Sequence, residues 1–216
     1  MGTLRTIGTE VAALGTLALS LPLRLVLPRQ RFDAAAPHPT PVVLVHGLLG
    51  DPTNFLVLQH FLSARGVRNF ASFSYAPRID YQRLAPHLLR TIEAVCRETG
   101  SPQVDVVGHS LGGLLARYLL ETDGGGLMRR LVTLGSPYFT ERLPRQELAF
   151  YAAHDPLVPA PGSMHAATGR VVVIPDCGHW GLLFHSAVLR RIAGFLTTVP
   201  VQRPVRHRPL AARQAA

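Results

Sequence analysis

The chain has 216 residues, 47% hydrophobic and 16% charged, which is enough for one domain with a real core and is the composition of neither a disordered nor an acidic protein. Its net charge of +9 suggests a nucleic-acid partner only until it is mapped: residues 1–40 contribute +2, 41–199 contribute +3 and 200–216 contribute +4, so the excess sits in the ends and no nucleic acid is expected. All 22 basic residues are Arg, which we read as composition bias because no binding geometry excludes Lys everywhere, and two Cys make no disulfide framework.

The first segment, residues 1–40, is apolar. VAALGTLALSLPLRLVL (Val11–Leu27) follows Arg5 as the h-region of a signal peptide follows its charged n-region. Its clean run, Val11 to Leu23, is 13 residues long, whereas a spanning helix needs roughly 20. Glu10 stands at one edge, and Pro22 and Arg24 interrupt the other. Ala34-Ala35-Ala36 resembles a small-residue cleavage site, but Pro37 follows it. Three readings stay open: an export signal or uncleaved anchor, a membrane-surface helix, and a helix packed on the domain. The protein is expected to be secreted or membrane-associated, with membrane contact through this segment; a cytoplasmic location stays open. Met1-Gly2 with Thr6 also fits an N-myristoylation pattern, one short enough to recur by chance.

From residue 41 strands and helices alternate. PVVLVHG reads as a buried parallel strand closed by glycine. Residues 51–66 read as a helix with an Asp cap, an early Pro and a terminal Gly66. VRNFASFSY (67–75) is a strand and 81–100 a helix ending at Gly100. PQVDVVGHS (102–110) is a strand and 111–126 a helix closed by three glycines. RRLVTLGSP (129–137), QELAFYAAHD (146–155) and RVVVIPDCGH (170–179) are three further strands, and 180–196 is the last helix. The pattern predicts a three-layer α/β fold, with about six mostly parallel strands and helices on both faces. Residues 41–199 form this domain, and the Pro- and Arg-rich 200–216 is a disordered tail. Only 13 residues, Gly135 to Glu147, separate two of the strands, too few for a cap domain. The pocket is therefore expected to be shallow and open.

Ser110 lies between the strand VDVV and the helix LGGLLARYLL. A Ser on such a turn has its hydroxyl pushed clear of the sheet on a strained backbone. Gly108 and Gly112 remove side chains where strand and helix come closest. The helix N-terminus offers N–H groups and partial positive charge to an anion.

A Ser hydroxyl needs a base, and the base needs an orienting acid. Of ten His, His179 stands directly after the last strand; His165, in a loop, is a distant second. His185 falls inside the last helix, and His109 adjoins Ser110 but points elsewhere. Asp155 ends its strand on the rim shared by Ser110 and His179. Asp176 is the alternative acid and would have to fold back over a short turn; Asp105, inside a strand, reads as structural. The order Ser110, Asp155, His179 is that of α/β-hydrolases. An oxyanion needs donors as well: the backbone N–H of Leu111, and that of Leu48 in HGLLG.

VVLVHGLLG, VVGHSLGGLLARYLL, LVTLGSP and GHWGLLF together resemble α/β-hydrolase lipases and esterases, nearest in look to the small, lid-poor bacterial triacylglycerol lipases. The likeness covers about residues 41–199. It implies Ser110 as nucleophile, His179 as base, Asp155 as orienting acid, and Leu48 and Leu111 as oxyanion donors. Those lipases carry a clean signal peptide, and this N-terminus departs from that pattern.

The expectation is a serine hydrolase of carboxylic esters, working as a monomer on an acyl ester or lipid through an acyl-enzyme, with no cofactor and no metal. Leu49, Tyr138, Phe139, Leu157, Val158 and Trp180 are the expected apolar walls of the pocket. An acyltransferase or thioesterase with the same triad is the alternative, and a non-catalytic binding protein of this fold a weaker one. Ser at the elbow argues against haloalkane or epoxide chemistry. Cys96 and Cys177 are expected to lie far apart, and His154, His165, Asp176 and Cys177 lack recognisable metal-ligand spacing.

Overall fold

The computed structural model describes residues 2–25, 32–77, 79–122, 125–137, 144–160 and 170–198. Six strands form one sheet: β1 (Val42–Val45), β2 (Phe70–Phe73), β3 (Val104–His109), β4 (Met128–Leu134), β5 (Glu147–Ala152) and β6 (Arg170–Ile174), in the order β2-β1-β3-β4-β5-β6. Every neighbouring pair is parallel. The helices are α1 (Gly2–Ser20), α2 (Leu56–Ser63), α3 (Tyr81–Thr99), α4 (Leu111–Glu121) and α5 (Ser186–Thr197).

The central strands β1, β3, β4 and β5 are rich in apolar residues because both sheet faces are covered there. Side chains alternate between faces along a strand. Val42 and Leu44 of β1 pack with Leu58 and Leu62 of α2 and with Val188 and Ile192 of α5. Val43 and Val45 point the other way, into Leu88 and Ile92 of α3 and Leu115 and Leu119 of α4. The result is three layers, with no cap domain among the described residues.

Local signals set the helix ends. The Asp80 carboxylate accepts from the Arg83 N–H at the start of α3, and Gly100 ends that helix at φ +70°. The helix expected over 51–66 divides into a 3-10 turn (Pro52–Phe55), capped by Asp51, and α2. The last helix is also shorter than expected. A 3-10 turn, Gly181–Leu183, comes first, and His185 stands before α5 as its N-cap, accepting from the Ala187 N–H at 3.3 Å. His185 is thus a cap and not an interior helical residue.

Two buried ion pairs fasten the sheet. Arg117 of α4 and Glu147 of β5 lie 2.6 Å apart with side chains 2% and 0% exposed, and the Thr133 hydroxyl donates to the same Glu147 oxygen at 2.6 Å. At the far end of β3, Asp105 accepts from Arg129 Nε at 2.8 Å and lies 3.6 Å from His38 Nε2.

The chain runs from β1 outward to β2, then crosses back to β3 on the other side of β1. Loops leaving β1 and β3 therefore diverge at the carboxyl ends of these strands, and a crevice opens between them. That crevice is where Ser110 stands.

Candidate active site

Register places the turn. Val45 pairs with Gly108, and His109 with Leu134. Ser110 follows at φ +52°, ψ −123°, a backbone region that costs a non-glycine residue energy. Its N–H donates to the Leu134 carbonyl at 2.8 Å, which holds the strained turn against β4. Glycines make the turn fit. A Cβ on Gly108 would stand 2.5 Å from the Gly113 nitrogen, and one on Gly112 would stand 2.5 Å from the His46 carbonyl. Gly112 thus clears β1 as well as the elbow. Gly113 also matters, because a Cβ there would meet Ser136.

His179 Nδ1 and Asp155 Oδ2 are 2.7 Å apart, with both side chains buried. The other Asp155 oxygen accepts the N–H groups of Leu157 and Val158, each at 2.8 Å. Burial pushes the Asp155 carboxyl upward, but the bonds from His179, Val158 and Leu157 outweigh it and hold the group below the usual carboxylate range. Two backbone bonds between the loops, Ala153 N–H to the Ile174 carbonyl and His154 N–H to the Cys177 carbonyl, bring acid and histidine together. Asp176 is elsewhere. It is 3.6 Å from Arg5 and its side chain is 41% exposed.

Ser110 and His179 line one pocket of about 490 Å³, within the size range of small-molecule sites. Leu48, Leu49, Leu157 and Trp180 line it too. Leu111 is the first residue of α4, immediately after Ser110. Val158 packs with Ala149 and Tyr151, and its contact with the site is the bond to Asp155. Tyr138, Phe139 and His165 lie outside the described residues.

A family model for the alpha/beta hydrolase fold matches residues 40–149. The chain belongs to the alpha/beta hydrolase fold family. Solved structures of similar shape include a CIB-like hydrolase from Thermoplasma acidophilum, at TM-score 0.57 and 14% identity over 74% of this chain and 87% of that one. A candidate aryl esterase from Burkholderia cenocepacia aligns at TM-score 0.58 and 16% identity, over 76% and 91%. Lipase B of Aspergillus fumigatus aligns at TM-score 0.60 and 13% identity, over 80% of this chain and 55% of the lipase.

Several residues around this hydrolase's site escape sequence reasoning. His109 does not point away. Its ring centroid is 4.7 Å from that of His179, and its Nε2–H donates to the His179 carbonyl at 3.2 Å. Burial, with the charge of His179 second, drives its pKa down to about 3, so it packs as a neutral ring. Gly135, at φ +54°, lies against the His–Asp pair: a Cβ there would be 3.1 Å from His179 Nδ1 and 3.2 Å from Asp155 Oδ2. The GSP triplet after a strand was the available signal for this glycine.

The pocket also has a wall that the rim connections alone do not provide. Leu14, Leu17 and Ala18 of α1, and Leu21 just after it, line it. The expectation drawn from the rim connections took no account of this wall, which the N-terminal helix adds beside the site. Glu10 of α1 accepts from the N–H groups of Trp180 at 3.1 Å and Gly181 at 2.7 Å, the two residues after His179. Cys177, buried beneath them, has its thiol pushed up to about 12 by burial and by the charges of Glu10 and Asp155; it and Cys96 are both free thiols.

Proposed function

We propose that this hydrolase cleaves carboxylic esters through an acyl-enzyme. The reading rests on one observation: a histidine held by a buried carboxylate at 2.7 Å lines the same pocket as a serine on a strained strand-to-helix turn. In the proposed cycle His179 Nε2 takes the Ser110 proton as Oγ attacks the ester carbonyl carbon. Asp155 fixes the Nδ1–H tautomer and stabilises the imidazolium that forms. The carbonyl oxygen becomes an oxyanion, met by the Leu48 and Leu111 N–H groups and by the positive end of α4. Collapse expels the alcohol, which takes its proton from His179. Water, deprotonated by His179, then attacks the acyl carbon; the bond to Ser110 Oγ breaks, Oγ takes the proton back from His179, and the acid leaves.

The apolar lining supports a place for the acyl chain in the pocket. Each CH₂ buried there favours binding by roughly 0.8 kcal/mol. A pocket of about 490 Å³ limits that gain to short and medium chains.

The test is hydrolysis of p-nitrophenyl esters across chain lengths, wild type against Ser110→Ala. The variant should fold and lose roughly 10⁴-fold or more in rate, and a fluorophosphonate should label wild type at Ser110 alone. Activity retained by Ser110→Ala on every ester would overturn the reading.

A further inference from the structure

Helix α1 is built the wrong way round for water. Thr6, Glu10, Ala13, Leu17 and Ser20 recur at spacings of three and four, which puts them on one face. That face is turned to the domain. Thr6 and Ala13 are buried, Leu17 packs on the core, and the Ser20 hydroxyl donates to Thr53 Oγ1 at 3.3 Å. The Glu10 carboxylate sits close over two glycines: a Cβ on Gly178 would be 2.5 Å from its carboxyl carbon, and one on Gly181 2.6 Å from Oε1. The outward face holds the large apolar side chains. Leu4, Ile7, Val11 and Leu19 are 79, 56, 65 and 82% exposed. A contiguous apolar face of this kind marks a binding surface.

The same face continues to the mouth of the pocket. Leu14 and Leu21 line the pocket while being 45% and 46% exposed, and Leu49 and Leu157 at its rim are 81% and 58% exposed. The stretch Leu4–Leu23 has the length and apolarity to cross a membrane, at mean hydropathy 1.4. Crossing would pull Glu10 off the Trp180 and Gly181 amides and carry its carboxylate into hydrocarbon. Docking keeps that carboxylate satisfied and leaves the apolar face free.

We propose that α1 lies in the plane of a lipid bilayer, docked to the hydrolase through Glu10, with its outer face sunk into the interface so that the pocket opens onto the acyl chains. A second copy seated on this face would seal the pocket, whereas a bilayer supplies it. The identity of what enters rests on the ester-hydrolase reading; the binding of the surface does not.

Full-length Ser110→Ala is therefore the protein to use, so that binding is read without turnover. It is mixed with vesicles of phosphatidylcholine and phosphatidylglycerol in equal parts, with or without brominated acyl chains. The chain has one tryptophan, Trp180, and it lines the pocket. The protein should sediment with the vesicles, and bromolipid should roughly halve Trp180 fluorescence, as expected of an indole at acyl-chain depth. Leu4→Ser/Ile7→Ser/Val11→Ser should weaken binding by about tenfold or more, while the same triple change in the active protein keeps its turnover of soluble p-nitrophenyl acetate. Protein that stays in the supernatant would overturn the proposal, as would bound protein with unquenched Trp180. A dimer that the triple variant dissociates would give the face to a second copy. If that variant misfolds, the quenching result decides alone. Vesicle binding by a protein with no esterase activity would sink the hydrolase reading and leave the surface standing.

Discussion

His109 donates its Nε2–H to the backbone carbonyl of His179 at 3.2 Å, and the two rings sit 4.7 Å apart. The residue before the candidate nucleophile thus supports the candidate base. Because burial lowers the His109 pKa from 6.5 to about 3, the unfolded chain takes up a proton there that the folded one refuses. Its contribution to stability is complete above pH 6.5 and is lost as the pH falls toward 3. The unfolding free energy from urea titrations across that range should fall with acid by up to about 1.4 kcal/mol per pH unit from this one group. His109→Asn should be less stable at neutral pH but show the shallower acid slope; equal slopes would show that His109 is not the group responsible.

The two candidate acids differ in what they hold. Asp155 holds His179, whereas Asp176 sits beside Arg5 at 3.6 Å on the surface. Asp155→Asn should lower kcat by roughly 10³–10⁴-fold through the wrong histidine tautomer. Asp176→Asn removes an exposed pair worth about 0–1 kcal/mol and should leave kcat close to wild type. Steady-state kinetics of the two variants on one short ester make the comparison, and the reverse ranking would move the acid.

Gly135 should not tolerate a side chain. Ala at φ +54° is strained by about 1–2 kcal/mol, and its methyl would press on His179 Nδ1 from 3.1 Å. Gly135→Ala should lower Tm by several degrees and lower kcat on the order of tenfold with little change in KM, as expected when a reacting group is displaced. Unchanged kcat would mean that the His–Asp pair relaxes freely.

Arg117 and Glu147 form a buried pair whose halves are not independent. Arg117→Ala strands the Glu147 carboxylate in the core and should cost about 3–5 kcal/mol. Arg117→Met/Glu147→Leu removes both charges and should recover most of that loss. Chemical denaturation of wild type and these two variants makes the comparison; a double variant as unstable as Arg117→Ala would mean that packing, not charge, sets the cost.

Much of this protein is local and therefore legible in the chain itself. The β-branched runs at 42–45, 104–109 and 128–134 and the helical periodicity of 81–99 follow from short-range sterics and burial. The glycines around Ser110 announce the elbow because strand and helix meet within a few residues. Asp155 and His179 stand out in the sequence as polar residues in the loops that follow β5 and β6. Other relationships join residues far apart in sequence that only the crossovers bring together. Glu10 and Gly181 are 171 positions apart and share a 2.7 Å hydrogen bond. Gly135 carries no mark of the histidine it must accommodate, and His109 none of the ring it supports. Read as a sequence, α1 is an apolar segment open to three interpretations, since hydropathy averages over its faces. Only packing separates the stripe of Thr6, Glu10, Ala13, Leu17 and Ser20 that meets the domain from the leucines that do not. The reason is physical: secondary structure is set by neighbours along the chain, whereas a helix chooses its buried face by the surface it meets.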